Sequence, residues 1–139
     1  MRDSVASFAR RMLADDRLLM RPPMDGLRWA DGWGEAILYR DGAWQVELVM
    51  LLPGVDVPMH RHMRCESCDI ALCGSGEIVT ERFRGPFGRD ESRPLARTVL
   101  RIPAGMLHGG RAGPSGCLWL SFQRWQGEPA HISEDWQAW

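Results

Sequence analysis

Val5, Phe8, Met12 and Leu13 are spaced by three, four and one residues, with Ser4 ahead of them as an N-cap. This pattern predicts an amphipathic helix over residues 4 to about 20, which Arg21-Pro22-Pro23 ends. Beyond the prolines the hydrophobic period changes. Trp44, Val46, Leu48, Met50 and Leu52 alternate with Gln45 and Glu47, so one face of a strand turns to a core. A short apolar strand at 36–39 feeds it through the hairpin turn Asp41-Gly42, and Pro53-Gly54 closes it. Further apolar-rich segments lie at 69–72, 78–83, 98–102 and 117–122, with Gly- or Pro-containing turns at 74–76, 85–88, 103–105 and 113–116. Many short strands separated by turns predict an all-β barrel or sandwich. Neither an internal repeat nor a low-complexity linker divides the chain. The expected organisation is therefore an N-terminal helical segment over 1–25 and one β domain over 26–139 that ends in a Trp-rich tail.

Composition changes this picture little. At 139 residues the chain is long enough to bury a core without disulfides. The four cysteines, Cys65, Cys68, Cys73 and Cys117, are expected as reduced thiols in a cytoplasmic protein. A formal net charge of -1 gives no general attraction for nucleic acid or an anionic membrane. All basic residues are arginines and they are scattered, which predicts solvated surface for most of them, although Arg61, Arg64, Arg101 and Arg111 flank the chemical motifs described next. No run is long and apolar enough for a signal peptide or a membrane span. His131 sits in a polar C-terminal stretch and is expected to be exposed. Of the seven tryptophans, Trp44 and Trp119 fall on predicted strands, where they can line a barrel mouth.

The chemistry concentrates in two short stretches. In Pro58-Met59-His60-Arg61-His62 two histidines stand two residues apart, which on an extended strand puts both rings on one face, about 7 Å apart along the chain. An exposed His-x-His loop is the alternative. Cys65-Glu66-Ser67-Cys68 follows. Its C-x-x-C spacing offers a local Cys2His2 zinc site with His60 and His62, but strand parity separates the two thiols and His108 is left unused.

At Pro103-Ala104-Gly105-Met106-Leu107-His108 the sequence resembles the cupin superfamily. Gly54, His60, His62, Glu66 and Gly74 follow that family's first motif, and Pro103, Gly105 and His108 its second. The gap from Glu66 to Gly74 is one residue longer than the family spacing, and counting with the longer His-to-Glu gap puts Ser67 in the glutamate's place. The resemblance spans residues 36–125 and implies a single double-stranded β-helix, the jelly-roll barrel of small one-domain cupins. It also implies one divalent transition metal, Fe(II), Mn(II), Ni(II) or Zn(II), on His60, His62, Glu66 and His108. Parity favours Glu66 over Asp69, because Glu66 shares a face with Cys68, Ile70 and Leu72.

By resemblance such a chain is a dioxygenase, an isomerase or epimerase, a decarboxylase, or a non-catalytic sensor module. The expectation is a metal-dependent enzyme acting on a small organic substrate, with dioxygen chemistry favoured. The alternatives are a metal- or ligand-sensing cupin and a purely structural barrel. Unpaired edge strands and apolar surface predict a homodimer.

Overall fold

The computed structural model describes residues 4–139. Helix α1 (Val5–Leu13) begins where the sequence predicts, with the Ser4 hydroxyl accepting the Ser7 amide at 3.0 Å. It ends earlier than expected. The Asp15 carboxylate accepts the Arg17 amide at 3.0 Å, a local turn that competes with helix continuation, and only a single 3-10 turn follows at Leu18–Met20.

Among the described residues nine strands form one curled antiparallel sheet: β1 (Arg28–Ala30), β2 (Trp33–Asp41), β3 (Trp44–Leu51), β4 (Asp56–Arg61), β5 (Cys65–Thr80), β6 (Arg84–Arg89), β7 (Val99–Ile102), β8 (His108–Trp125) and β9 (Gln137–Ala138). Two of them are long and belong to both leaves of the barrel. Residues 65–74 of β5 pair with 117–125 of β8 in the leaf that carries β1–β3, and β7 extends that leaf along 67–70 of β5. Residues 76–80 of β5 pair with 108–112 of β8 in the leaf that carries β4, β6 and β9.

The expected turns at 74–76 and 113–116 are therefore bends inside continuous strands. Gly74 and Gly116 both have φ +72°, and a Cβ on Gly74 would overlap the Gly116 carbonyl. Only glycine lets the two bent strands pass so close.

At the centre of the first leaf, along β3, β5 and β8, both faces are largely covered, and they differ in kind. On its outer face Leu38, Val46, Cys68, Leu120 and Phe122 meet Val5, Phe8, Ala9 and Met12 of α1 in the principal apolar core. Its inner face, toward the barrel interior, mixes Val49, Cys65 and Trp125 with the fully buried Gln45, Glu47 and Gln123. Alternation along β3 thus separates a helix-packed face from a barrel-facing one, with no solvent face. Among the described residues no helix is long and apolar enough to cross a membrane.

Candidate metal centre

His60 lies on β4 directly opposite His108 of β8, and His62 follows two residues along the same face. The Pro103-to-Met106 turn ties the two histidine segments together, because the Gly105 amide donates to the His62 carbonyl at 2.9 Å. The ring centroids lie 4.6 Å (His60–His62), 4.2 Å (His60–His108) and 5.1 Å (His62–His108) apart, and all three residues are buried.

Each Nδ1 is committed to a backbone carbonyl: Pro58 for His60 at 2.7 Å, Asp135 for His62 at 2.6 Å and Met106 for His108 at 2.9 Å. These acceptors assign the proton to Nδ1 and leave the Nε2 lone pairs facing inward. His60 Nε2 and His62 Nε2 are 3.0 Å apart. Two lone pairs at that distance repel unless a cation sits between them. The same separation is the edge subtended by two ligands about 90° apart on bonds of about 2.1 Å. Burial, followed by the neighbouring His108, pushes the His60 pKa down to about 3; burial brings His108 down to about 4 and lowers His62. The rings are neutral and ready as ligands, so the donor set fits a divalent transition metal.

Glu66 is not brought to this cluster. It forms an ion pair with Arg124 on the other face of β5, where Cys68 packs into the helix-covered core. The face that Glu66 shares with Cys68 is apolar because α1 covers it, and it does not look into the barrel. Ser67 and Asp69 look inward instead and line the cavity shared with the three histidines. Ser67 thus stands where the longer gap puts the family glutamate.

The thiols of Cys65 and Cys68 point to opposite faces, one into the barrel cluster and one into the helix-packed core. Burial raises both of their pKa values, and all four cysteines are free. They assemble no local zinc site.

Asp69, which parity places outside the barrel, is the carboxyl that faces the cavity. It is 7% exposed, and its Oδ1 is buried without a hydrogen-bond partner. Burial raises its pKa to about 7, opposed by hydrogen bonds from Ser121 and Ser67. A signal for it existed: once Ser67 takes the glutamate's place, residue 69 shares its face.

The C-terminal segment builds part of the centre. Beyond the Asp135 carbonyl on His62, Trp136 stacks on His60 with centroids 3.5 Å apart and planes 8° apart, and β9 pairs with β4 at His60 and Arg61. His131, expected to be exposed, is only 4% exposed and lies among Glu35, Glu47 and Asp25. Of the two strand tryptophans, Trp119 lines the cavity and Trp44 packs on Phe8 outside the barrel. Arg111 reaches the cavity rim, where its side chain is 66% exposed and paired with Asp56. The cavity, of ≈ 80 Å³, is walled mainly by Val49, Leu51, Phe87, Leu100, Ile102 and Trp119.

No family model matches the sequence, and no curated protein matches it. Solved structures do. KdgF from Halomonas sp. aligns with TM-score 0.60 at 16% identity, over 72% of this chain and 87% of that one. A cupin 2 conserved barrel domain protein from Salinispora arenicola CNS-205 aligns with TM-score 0.56 at 22% identity, over 77% and 87%. DMSP lyase DddQ from Ruegeria pomeroyi DSS-3 aligns with TM-score 0.58 at 20% identity, over 80% and 58%. With its curled all-β sheet and these neighbours, the chain has the fold of a small cupin domain.

Proposed function

We propose that this chain is a metal-dependent enzyme acting on a small organic molecule bound inside the barrel, with dioxygen chemistry the favoured subclass. The observation that carries the reading is the convergence of three neutral imidazoles, their Nδ1 protons held by carbonyls, on the wall of an apolar cavity in the barrel. A divalent ion on three protein ligands keeps open positions and supplies Lewis acidity or, for a redox metal, access to dioxygen chemistry.

Neutral histidines leave the ion's double positive charge uncompensated, so the centre favours a substrate with an anionic head such as a carboxylate, enolate or thiolate. At about 10–15 Å³ per water, the cavity has room for roughly five to eight waters, which points to a compact molecule with an apolar body. Val49, Leu100, Ile102 and Trp119 give it an apolar lining. The carboxyl of Asp69, titrating near neutrality inside the same cavity, can hold or move a proton. A buried carboxyl in the same cavity as the three histidines is more than a purely structural barrel needs. DMSP lyase DddQ, a structural neighbour named as an enzyme, supports an enzymatic reading without bearing on the reaction type.

The test begins with metal analysis of protein purified without added metal. The Fe(II)-, Mn(II)-, Ni(II)- and Zn(II)-loaded forms are then surveyed with small carboxylic acids, thiols and 1,3-dicarbonyls, following oxygen uptake and substrate loss. Turnover that requires metal and is lost in Asp69→Asn is expected. Tight binding of a small acid with no turnover under any metal would replace this reading with the sensor module, and failure to take up any metal would remove both.

A further inference from the structure

A second buried cluster lies in the barrel interior, apart from the three histidines. Glu35 of β2, Glu47 of β3 and His131 of the C-terminal segment are 2%, 0% and 4% exposed, and one ligand atom from each falls within 4.8 Å of the others. His131 Nε2 is 2.8 Å from Asp25 Oδ2. Its Nδ1 is 3.0 Å from Glu47 Oε2 and 3.2 Å from Glu35 Oε2. Glu47 Oε1 accepts from Gln123 Nε2 and from the Ile132 amide, each at 3.0 Å. Glu35 Oε1 accepts from the Trp33 indole. Glu35 Oε2 is buried and accepts no hydrogen bond.

The charges do not balance at contact distance. Three carboxylates, Glu35, Glu47 and Asp25, surround one imidazole; among the described residues no arginine pairs directly with any of them, and Arg28, which feels the charges of Glu35 and Asp25 from farther off, is itself paired with Glu134. Even a protonated His131 leaves an excess of negative charge, two members of which are almost wholly buried. Uncompensated buried charge costs several kcal/mol per ion. The arrangement also repeats that of the three-histidine centre: the outer ring nitrogen is held by an acceptor, and the inner nitrogen faces other ligand atoms at 3.0–3.2 Å. A carboxylate behind a ligating histidine is the usual way of fixing its tautomer.

We propose that Glu35, Glu47 and His131 form a second cation site, with Asp25 orienting the imidazole, that takes one divalent ion of the Mn(II) or Zn(II) class. Binding displaces the Nδ1 proton to solvent and places the ion on one nitrogen and two carboxylate oxygens. The two glutamates neutralise a divalent ion, whereas the three-histidine centre leaves it charged, so the two sites differ in hardness, the second being the better match to Mn(II). Glu35 also lines a groove of ≈ 320 Å³ between β1 and the C-terminal segment, which gives an ion a way in. An ion here would staple residue 131 to β2 and β3. It would thereby brace the segment whose Asp135 and Trp136 hold His62 and His60.

The competing arrangement is a proton shared by the two glutamates, which offsets part of the same charge without a metal. The full chain is stripped with a chelator, with His60→Ala or His108→Ala silencing the first centre, and titrated with Mn(II) while paramagnetic resonance reports the free ion. One Mn(II) bound per chain is expected in either background. Adding Glu35→Gln or Glu47→Gln should weaken it at least tenfold, and Asp25→Asn by about tenfold, with circular dichroism unchanged. The proposal is overturned if both histidine variants leave Mn(II) free and bind no Zn(II) in competition with a chromogenic chelator, or if Glu35→Gln and Glu47→Gln bind as tightly as their parent.

Discussion

Replacing Asp69 by Asn should make the metal-free protein more stable, increasingly so as pH rises. The buried carboxyl has its pKa raised from 3.8 to about 7, so the folded state holds its proton over a range in which the unfolded chain has released it. Folding then costs nothing through this group below pH 3.8, and stability is lost progressively as pH climbs from 3.8 through 7. A shift of about three units corresponds to a loss on the order of 4 kcal/mol above pH 7, of which roughly 1.5 kcal/mol has already accrued at pH 5. Asparagine keeps the shape and can still accept from Ser121 and Ser67, but it does not ionise. The stability advantage of Asp69→Asn should therefore grow by about 2–3 kcal/mol between pH 5 and pH 8. Urea unfolding of both proteins at the two pH values, in chelator, measures it; with a slope of about 2 kcal/mol/M the gap between midpoints widens by roughly 1 M. The histidines titrate alike in both proteins and cancel in the comparison. Parallel stabilities from pH 5 to 8, or an Asp69→Asn protein less stable at pH 8, would refute the assignment of Asp69 as an uncompensated buried acid.

Two further outcomes follow from the placement of the ligands and the surface. His60→Ala and His108→Ala should each abolish metal binding at the three-histidine centre with the β-sheet circular dichroism retained, while Glu66→Gln, Cys65→Ser and Cys68→Ser keep its affinity within a few fold; a large loss in Glu66→Gln would return that residue to the ligand set. The exposed Leu19, Met20, Met24, Leu27 and Trp29, beside the edge strand β1, leave apolar surface and unpaired backbone for a second copy, so light scattering should give twice the chain mass, and a constant monomer mass across concentrations would reject the homodimer.

What could be read from the sequence was mostly local. Ser4 announces the helix start, and Asp41-Gly42 announces a hairpin whose two-residue turn is built on Gly42 at φ +59°. His60 and His62 on one strand face, with His108 after Pro103 and Gly105, is likewise a short-range pattern, and the strand geometry brings the three together. Non-local relations were not legible. A two-residue period does not say which face looks into a barrel when a helix covers the other, and that ambiguity exchanged Glu66 for Asp69. Gly74 and Gly116 read as turns because their partner in close approach is the opposite strand, 42 residues away. His131 read as exposed because its neighbours in sequence are polar, whereas its neighbours in space, Glu35 and Glu47, lie more than 80 residues earlier.

The same two-faced sheet explains how so small a barrel carries so many buried polar groups. Val5, Phe8 and Met12 of α1 close over Val46, Leu120 and Phe122 on the outer face, and at about 1.5–3 kcal/mol per buried large side chain this packing supplies much of the hydrophobic stabilisation without using the interior. The interior can then hold an extended polar network. Gln45 donates to Gln123 at 2.9 Å and to the Ala130 carbonyl at 2.7 Å, while Gln123 donates to Glu47 at 3.0 Å and accepts from Trp125 at 2.9 Å. Because the two glutamines are satisfied within it, they rigidify the barrel at little cost. It also fixes the C-terminal segment, through Ala130 and Ile132, over the three histidines. The main apolar packing thus lies on the outer face of this leaf, and the candidate metal centre inside the barrel, on β4 and the near end of β8. Isosteric changes inside the barrel should alter ligand binding before they unfold the chain, whereas truncation of Phe8 or Phe122 on the other face, where about 3–5 kcal/mol is at stake, should unfold it without touching a ligand.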